Sequence, residues 1–454
     1  MLSRARAFVA PAYLFACLIL GGSAQGIWET MILQLAGIAI IAWAAIGTSG
    51  EPVAPSARQL LLLAVAAVAV VALQLIPLPA SLWSHLGPRR EVAEGFRVLG
   101  IALPAEPLSL APASGLDSLL GLIPPIAIFC AMVRSRAYLP HWLAIALIAG
   151  TVAGIALGAV QVASYSAVQS PWYLYEDTSN GRAVGFFANA DHMATLLIVT
   201  IPFLAAIIAA ARTSSMQRYS AVVAMVAGAA LLVLVGLALN GSLAGYGLAL
   251  PVVAASVLVI LPAASRWRLW IVALAALLMV GAVTALETTA IGSSSVGAHA
   301  TSSVDSRAQL LSTTSRAMGD FMPFGSGLGS FRSVYHLYEQ PQQVTETYVV
   351  HAHNDYVELA LELGLAGVVL ILLFLAWWLA AVWRTWRTAE AGPFARAAAI
   401  ASAAMLVHSL ADFPLRTTAI AVCFGMCMAL LADSRAAPPK EKKELRRKRH
   451  VEFK

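Results

Sequence analysis

A polar segment with two histidines stands directly before an apolar run in this chain. The stretch VVHAHNDYVELALELGLAGVVL, residues 349–370, contains His351, His353 and Asn354, followed by three carboxylates. A neutral imidazole accepts a proton near neutral pH, because the ordinary pKa of histidine is about 6.5. Both histidines are therefore candidates for a general base.

The same segment allows two other interpretations. His351, His353 and Asp355 alternate along the chain, so an extended backbone would place them on one side as metal ligands, but further ligands at conventional spacing are missing. Asn354 and Asp355 are also good N-cap residues, and Glu358 would lie in the first turn of a helix that starts there. The residues by themselves leave a base, a metal site and a helix cap open.

Two arginines lie in polar segments away from the apolar runs. They are Arg182 in NGRAVGFFANADH and Arg307 in VDSRAQLL. Guanidinium binds phosphate oxygens through two parallel hydrogen bonds and stays charged at any physiological pH. Both arginines are therefore candidate phosphate ligands, and the alternative is that they are solvated loop residues.

A glycine-rich segment, FGSGLGSF, contains Gly325, Gly327 and Gly329. No strand–turn–helix pattern surrounds these glycines, so a dinucleotide-binding fingerprint is rejected. The segment predicts either a tight turn or a backbone nest for an anion, and we favour the turn.

A third polar group occurs in LVHSLADFPLR, near the C-terminal end of the sequence. His408 and Asp412 are four residues apart, as on one face of a helix, and Arg416 follows. Ionisable residues within a membrane span are candidate functional residues. An internal ion pair between Asp412 and Arg416 explains them equally well.

The composition defines the elements that must position these residues. Hydrophobic residues make up 60% of the 454 residues and charged residues only 11%, which is typical of an integral membrane protein rather than a soluble one. We predict an all-α polytopic membrane protein with about twelve spanning helices. The apolar runs begin near residues 7, 28, 59, 115, 139, 192, 219, 243, 269, 362, 396 and 414.

Arginines and lysines set the predicted orientation. Arginines recur in alternate short loops, for example Arg134, Arg212 and Arg384, and every lysine lies in the C-terminal tail KEKKELRRKRHVEFK. The positive-inside rule then places both termini in the cytoplasm, and it explains the basic tail without nucleic-acid binding. Three longer segments face outside on this topology: 78–114, 161–191 and 290–361.

These assignments divide the chain into four regions. Residues 1–289 contain helices one to nine, 290–361 form a large outer segment before the tenth helix, 362–432 contain the last three helices, and 433–454 are the basic cytoplasmic tail. Within the outer segment, Leu310, Leu311, Thr314 and Met318 recur at helical spacing and predict a short helix over 305–320.

Four sequence elements resemble those of the bacterial O-antigen ligase family. His353-Asn354, nine residues and then GLAG from Gly364 resemble its H-N-x9-G-x-x-G signature. SRAQLL is similar to its R-x3-L element, with Arg307 as the arginine, and GRAVGFFANADHMA is similar to the Arg-x-x-Gly-x-Phe-x-Asn segment, with Arg182. PFGSGLGSF resembles the loop before the histidine. Where many members have a Ser-Arg pair after a central helix, this chain has Ser242 followed by Leu243.

The resemblance implies a glycosyltransferase of GT-C-like architecture in the bacterial inner membrane. Such an enzyme transfers a glycan from undecaprenyl pyrophosphate to an acceptor hydroxyl at the periplasmic face, with inversion and without metal, nucleotide or other cofactor. The expected acceptor is a glycan or the lipid A core, in lipopolysaccharide or exopolysaccharide assembly. Polymerases and protein O-oligosaccharyltransferases of the same superfamily are the alternatives.

On this basis we assign expected roles to seven residues. His353 takes the acceptor proton, and Arg182 and Arg307 stabilise the departing pyrophosphate. The residues expected to contact substrate are His351, Asn354, Glu358 and Gly327. Glu358 or Glu362 could also orient the histidine or the sugar.

Two other classes of protein compete with this assignment. A transporter of the same lipid would place its polar groups near the bilayer midplane, commonly in two related halves. Here the polar groups concentrate in outer segments and no related halves are visible. A membrane-embedded metalloenzyme is disfavoured because the additional ligands are missing.

Overall fold

Long apolar helices form the body of the molecule. The computed structural model describes residues 5–47, 52–164, 170–212, 214–262, 265–288, 309–341, 344, 349–388 and 391–433. In this part of the chain the one sheet is a two-stranded antiparallel ribbon that pairs Pro77 with Pro107 and Leu78 with Glu106. The remaining regular structure is helical, which confirms the predicted all-α membrane fold.

Helices and two short strands follow one another along the chain. In order they are α1 (Val9–Leu20), α2 (Ile27–Ile46), α3 (Pro55–Gln74), β1 (Pro77–Leu78), α4 (Ala80–Trp83), α5 (Arg89–Val98), β2 (Glu106–Pro107), α6 (Pro112–Gly121), α7 (Ile123–Val133), α8 (Pro140–Ala163), α9 (Ala190–Ala211), α10 (Met216–Asn240), α11 (Leu243–Ile260), α12 (Trp267–Thr288), α13 (309–321), α14 (Phe331–Tyr338), α15 (Asp355–Arg387), α16 (Pro393–His408), a 3₁₀ helix (Pro414–Arg416) and α17 (Thr418–Ala432).

The predicted apolar runs coincide with helices. Eight segments of the described chain are long and apolar enough to cross a membrane: α2, α3, α6 with α7, α8, α9, α10, α11 and α15. Four shorter apolar helices, α1, α12, α16 and α17, account for the other predicted runs. That all twelve cross the membrane remains a prediction.

Helix α9 lies at the centre of the bundle. It packs against α8, α10, α11 and α16, and most of its side chains are buried. A helix that is apolar on every face is stable only where neighbours surround it, and α9 has such a sequence. Its Thr200 hydroxyl lies 2.8 Å from the Thr151 hydroxyl of α8, so these two polar groups inside the bundle are paired.

A sharp break at Gly364 divides α15 into two helices. Gly364 has φ +62°, and a Cβ there would lie 2.2 Å from the carbonyl oxygen of Pro323. The Leu365 N–H donates to the same carbonyl at 2.8 Å, so the segment before α14 is inserted into the break. The buried Gln74 amide of α3 donates to the carbonyls of Phe324 and Glu362. The glycine-rich segment is thus held between α3 and α15.

The described part of the outer segment has a small hydrophobic core of its own. Helix α13 overlaps most of the range predicted for a helix and extends one residue beyond it, and its Ala317 and Phe321 pack with Phe331 and Val334 of α14. Ala352, between the two histidines, belongs to the same cluster. The outer segment therefore packs directly against the histidine segment.

Arginine-bearing loops meet at one end of the bundle. Arg136 pairs with Asp433 beyond α17, and Arg384 donates to the Ser56 hydroxyl at 2.6 Å. Arg268 lies over the Trp386 ring at 5.6 Å. The histidine segment and the turn after α16 lie at the opposite helix ends, which is the arrangement that the alternating arginines predict.

Candidate active site

His353 lies directly before α15 and faces a carboxylate from the turn after α16. Its Nδ1 is 2.9 Å from Oδ1 of Asp412. The Asp412 side chain is fully buried, whereas 30% of the His353 side chain is exposed. A carboxylate at Nδ1 favours the tautomer that carries its proton there, which leaves the Nε2 lone pair as the proton acceptor.

A second imidazole lies near the other carboxylate oxygen of Asp412. His192 Nε2 of α9 lies 3.6 Å from Asp412 Oδ2, and His192 Nδ1 lies 2.8 Å from the Thr417 hydroxyl. Burial acts to raise the pKa of Asp412, but the contact with His353 and the charges of His192 and His408 outweigh it and hold the pKa below its usual range. Asp412 is therefore ionised at neutral pH and can stabilise a protonated His353.

His351 has a different carboxylate partner. Its Nδ1 lies 2.8 Å from Oε1 of Glu358, and Oε2 of Glu358 accepts from the Ala352 N–H at 2.7 Å. Glu358 thus fixes the backbone between the histidines. Glu358 contacts His351, whereas His353 faces Asp412, so an orienting role of Glu358 or Glu362 toward the sugar stays a prediction.

Arg416 of the 3₁₀ helix forms ion pairs with the three carboxylates in the first turns of α15. The guanidinium lies 3.2 Å from Asp355, 3.2 Å from Glu358 and 3.5 Å from Glu362. The alternative expectation of an ion pair between Asp412 and Arg416 is wrong. Helix α16 ends at His408 and the chain turns, so that Asp412 faces His353 while Arg416 faces α15.

A phenylalanine ring lies among the imidazoles. The ring centroid of Phe413 is 4.3 Å from that of His351, 5.0 Å from that of His353 and 5.1 Å from that of His192. Phe413 follows Asp412 directly, so the turn supplies both the carboxylate and the apolar surface on which the imidazoles pack. An apolar neighbour strengthens the interaction between His353 and Asp412 by excluding water.

Asn354 caps α15, as its position predicts. Its Oδ1 accepts from the N–H groups of Tyr356 and Val357, and its Nδ2 donates to the Leu410 carbonyl at 2.9 Å. The cap fixes the start of α15 against the turn that carries Asp412. A substrate contact of Asn354 stays a prediction, since its amide is used within the protein.

His353 has a left-handed backbone conformation, with φ +50°. Among residues with a Cβ, this conformation is uncommon and often marks a functional position. It directs the imidazole toward Asp412 immediately before the cap at Asn354. The base and cap interpretations of this segment are therefore compatible with each other.

Gly327 lies inside the packed glycine-rich turn. Its φ is +104°, and a Cβ would lie 2.5 Å from the Cα of Ser109. Its N–H donates to the Glu362 carbonyl at 2.8 Å, and the Ser326 N–H donates to Leu361. These donors are used within the protein, which favours the turn over the anion nest. The expected substrate contact of Gly327 stays a prediction.

A buried arginine that the sequence analysis did not single out supports the same turn. Arg89, at the start of α5, donates to the carbonyls of Gly325 at 2.8 Å and Leu108. Burial lowers the pKa of Arg89 to about 10, so it stays charged at neutral pH. No pattern around Arg89 distinguishes it from an exposed loop arginine.

Of the two predicted phosphate ligands, the structure describes Arg182. Arg182 is exposed on the outer loop before α9, and its carbonyl accepts from the Tyr173 hydroxyl. Asn240, at the end of α10, connects this loop to the start of α9, because its amide donates to the carbonyls of Ala183 and Ala190. Arg307 lies outside the described residues. Whether the two arginines share a phosphate remains a prediction.

Ser242 caps α11 at the position where this chain lacks the arginine. Its hydroxyl accepts from the Gly245 N–H and donates to Asp191 at 2.5 Å. Asp191 precedes His192, so this contact links α11 to the histidine group. Leu243 itself is 42% exposed. Over the described residues, no group of three or more His, Cys, Asp or Glu side chains is arranged to hold a metal ion.

The fold and this site define a class: a polytopic helical membrane protein with a His–Asp pair at one end of its bundle. The family model for O-antigen ligases matches residues 227–372, a range that includes His353, Arg307 and the GLAG segment. This match covers about a third of the chain and confirms the resemblance to that family that the motifs indicated. No curated protein matches the chain.

The family match has a coarse functional meaning. Its members are glycosyltransferase-like enzymes, ligases and polymerases that act on lipid-linked glycans and acceptors. Arg182, Asp412 and Arg416 lie outside the matched range. Their relation to the site comes from the contacts described above.

Proposed function

We propose that the chain transfers a glycan from undecaprenyl pyrophosphate to an acceptor hydroxyl at the periplasmic face of the bacterial inner membrane. The observation that carries this proposal is the partly exposed His353, held at 2.9 Å by the buried Asp412. Such a pair can supply the general base that the acceptor hydroxyl needs.

His353 acts on the acceptor hydroxyl. Its Nε2 removes the proton while the hydroxyl oxygen attacks the anomeric carbon of the donor glycan. The bond between that carbon and the pyrophosphate oxygen breaks on the opposite side, so the anomeric centre is inverted. Undecaprenyl pyrophosphate leaves with the bonding electrons, and Asp412 stabilises the imidazolium until it loses its proton to water.

Arg182 and Arg307 act on the leaving group. Departure of pyrophosphate leaves negative charge, which a guanidinium stabilises through two parallel hydrogen bonds. The exposed position of Arg182 beside the outer ends of α9 and α10 supports this role. The proposal assigns activation to a histidine–aspartate base and to arginines, and it requires neither metal nor nucleotide.

The orientation follows from the arginine-bearing end of the bundle. With that end in the cytoplasm, both termini are cytoplasmic, and His353 faces the periplasm, where lipid-linked glycans are displayed to acceptors. The polar residues of the site lie at helix ends and in outer loops. This arrangement supports transfer chemistry rather than transport along a midplane pathway.

A reconstitution assay tests the proposal. Purified protein is mixed with a lipid-linked glycan and, separately, with lipid A core, a second lipid-linked glycan or a pilin as acceptor. We expect transfer to the lipid A core, and transfer to a second lipid-linked glycan would identify a polymerase of the same superfamily instead. Absence of transfer to every acceptor would refute the proposal.

Arginine variants test the leaving-group step in the same assay. Arg182→Lys and Arg307→Lys keep the charge but lose the bidentate contact, so each should lower transfer about tenfold or more. Arg316→Lys is the matched control, because Arg316 lies on α13 and its guanidinium donates to the Thr313 hydroxyl of its own helix. Full activity in both test variants would show that these arginines are solvated loop residues.

A further inference from the structure

The outer loop between α8 and α9 forms a small cleft beside Arg182. The cleft has a volume of about 340 Å³, at the lower end of the range for small-ligand sites. Its walls include the rings of Tyr173 and Tyr175 and the side chains of Glu176 and Asn180. It is therefore both aromatic and polar, unlike the lipid-facing surfaces of the bundle.

A buried glutamine fixes the loop that forms the cleft. The Gln161 side chain is completely buried in α8, donates to the carbonyls of Trp172 and Gly185, and accepts from the N–H groups of Val184 and Gly185. All the hydrogen-bonding groups of its amide are thus used on the loop. A loop held in this way loses little conformational freedom when a ligand binds.

The aromatic walls are also positioned. The Tyr173 hydroxyl accepts from the Gly181 N–H at 2.9 Å and donates to the Arg182 carbonyl at 3.0 Å. One wall of the cleft is therefore hydrogen-bonded to the backbone of the arginine assigned to the pyrophosphate. A ligand in the cleft therefore lies close to the backbone of Arg182.

Two polar side chains of the cleft keep their hydrogen-bonding capacity. Within the described chain, neither the Glu176 carboxylate nor the Asn180 amide forms a hydrogen bond or ion pair. Together they offer carboxylate and carbonyl acceptors and two amide donors. Adjacent hydroxyl groups on one ring can pair with this combination of donors and acceptors.

The lining excludes two other kinds of ligand. Glu176 is the charged residue of the cleft, so an anion such as a lipid phosphate is repelled rather than bound. Glu176 and Asn180 also make the cleft too polar for an alkyl chain. A neutral ring with an apolar C–H face and several hydroxyl groups satisfies both the tyrosine rings and the polar side chains.

We propose that this cleft is a glycan subsite that binds a sugar ring next to the transfer position. The identity of the ligand rests on the proposed glycan transfer. The sugar belongs to the lipid-linked donor or to the acceptor, and the position beside Arg182 favours the donor sugar nearest the pyrophosphate.

Direct binding tests the subsite independently of transfer. The full chain in lipid nanodiscs is titrated with two probes prepared from the bacterium that encodes it: one repeat unit of its surface polysaccharide, and its lipopolysaccharide core oligosaccharide. Saturation-transfer NMR measures the affinity for each probe. We expect the repeat unit to bind, and Asn180→Ala and Glu176→Gln each to weaken it by about tenfold, as loss of a central polar contact predicts.

Trp28→Ala is the control, because Trp28 is an aromatic residue at the same end of the bundle, 72% exposed and outside the cleft lining. It should leave binding unchanged. Tighter binding of the core oligosaccharide, lost in the same variants, would assign the subsite to the acceptor. Binding of neither probe, or equal binding by Asn180→Ala, Glu176→Gln and the unaltered chain, overturns the proposal. Transfer that persists in His353→Ala refutes the catalytic proposal and leaves this binding result intact.

Discussion

His353 and Asp412 lie at the same end of two neighbouring helices, with Nδ1 of the histidine 2.9 Å from Oδ1 of the aspartate. The histidine precedes α15 and the aspartate follows α16, so the pair forms only when these helices pack side by side. Asn354 reinforces the arrangement through its hydrogen bond to Leu410. The bundle itself therefore sets the geometry of the proposed base.

We expect Asp412→Asn to lower transfer by about 10² or more, because an amide cannot stabilise the imidazolium and can favour the wrong tautomer. Transfer is measured with lipid-linked glycan and acceptor at equal amounts of inserted protein. The lowered pKa of Asp412 also contributes to the stability of the folded protein. Its stabilising effect is present above its unfolded pKa of about 3.9 and is lost only as pH falls toward the lower folded value. Activity that is independent of this substitution between pH 6 and 8 would contradict the assignment.

His353→Ala should abolish detectable transfer, since a positioned base contributes about 10² to 10⁴ in rate. His351→Ala should keep a measurable fraction, because His351 contacts Glu358 rather than Asp412. The two variants are compared in one transfer assay, with membrane insertion checked by immunoblot. Equal loss in both variants would remove the distinction between the histidines.

Treatment with a chelator tests whether the histidine segment is a metal site. We expect EDTA to leave transfer by the unaltered chain intact, and zinc to have no restoring effect. Inactivation by EDTA that zinc reverses, together with equal loss in the two histidine variants, would favour a metal site instead.

The sequence predicted the helices well because membrane spans are defined by local composition. Runs of about 20 apolar residues are visible without knowledge of their neighbours, and the cap at Asn354 is also local. The break at Gly364 was not predicted. A single glycine inside an apolar run does not reveal that another segment, here around Pro323, is inserted beside it.

The partners within the site could not be predicted for a related reason. The sequence identified His353, Asp412 and Arg416 as ionisable residues, but their pairing depends on contacts between distant segments. Helical spacing suggested that His408 and Asp412 share one face of a helix. Helix α16 instead ends at His408, so Asp412 lies in the turn that follows. His192 gave no separate signal, because a histidine at the start of an apolar run is also common in a packed core.

Arg416→Lys should lower both stability and transfer. A lysine ammonium cannot contact Asp355, Glu358 and Glu362 together, and carboxylates left unpaired in a buried cluster are costly, by about 3 to 5 kcal/mol when a partner is lost completely. We expect a lower thermal unfolding midpoint and roughly tenfold less transfer. Arg97→Lys is the control, because the Arg97–Glu94 pair is exposed and contributes little. An Arg416→Lys variant as stable and active as Arg97→Lys would show that the cluster is dispensable.

Gly364→Ala should destabilise the protein by about 1 to 3 kcal/mol, because alanine is strained at φ +62° and its Cβ would collide with the Pro323 carbonyl. Thermal unfolding in detergent measures the effect. Gly228→Ala is the matched control, since Gly228 lies within α10 and a Cβ there meets nothing within 4 Å. The control should be neutral or slightly stabilising. Equal midpoints for the two variants would mean that the break in α15 tolerates a side chain.

Cysteine labelling in intact cells tests the orientation on which the transfer mechanism depends. Leu337, in α14, is 72% exposed in the outer segment, and Thr388 is exposed just beyond the arginine-bearing end of α15. A membrane-impermeant maleimide should therefore label Leu337→Cys from the periplasm, but label Thr388→Cys only after the cells are permeabilised. The native cysteines Cys17, Cys423 and Cys427 are buried and Cys130 is partly buried, so background labelling should be low. The reverse pattern would place His353 in the cytoplasm, away from periplasmic acceptors, and the proposed reaction would then be wrong together with the topology.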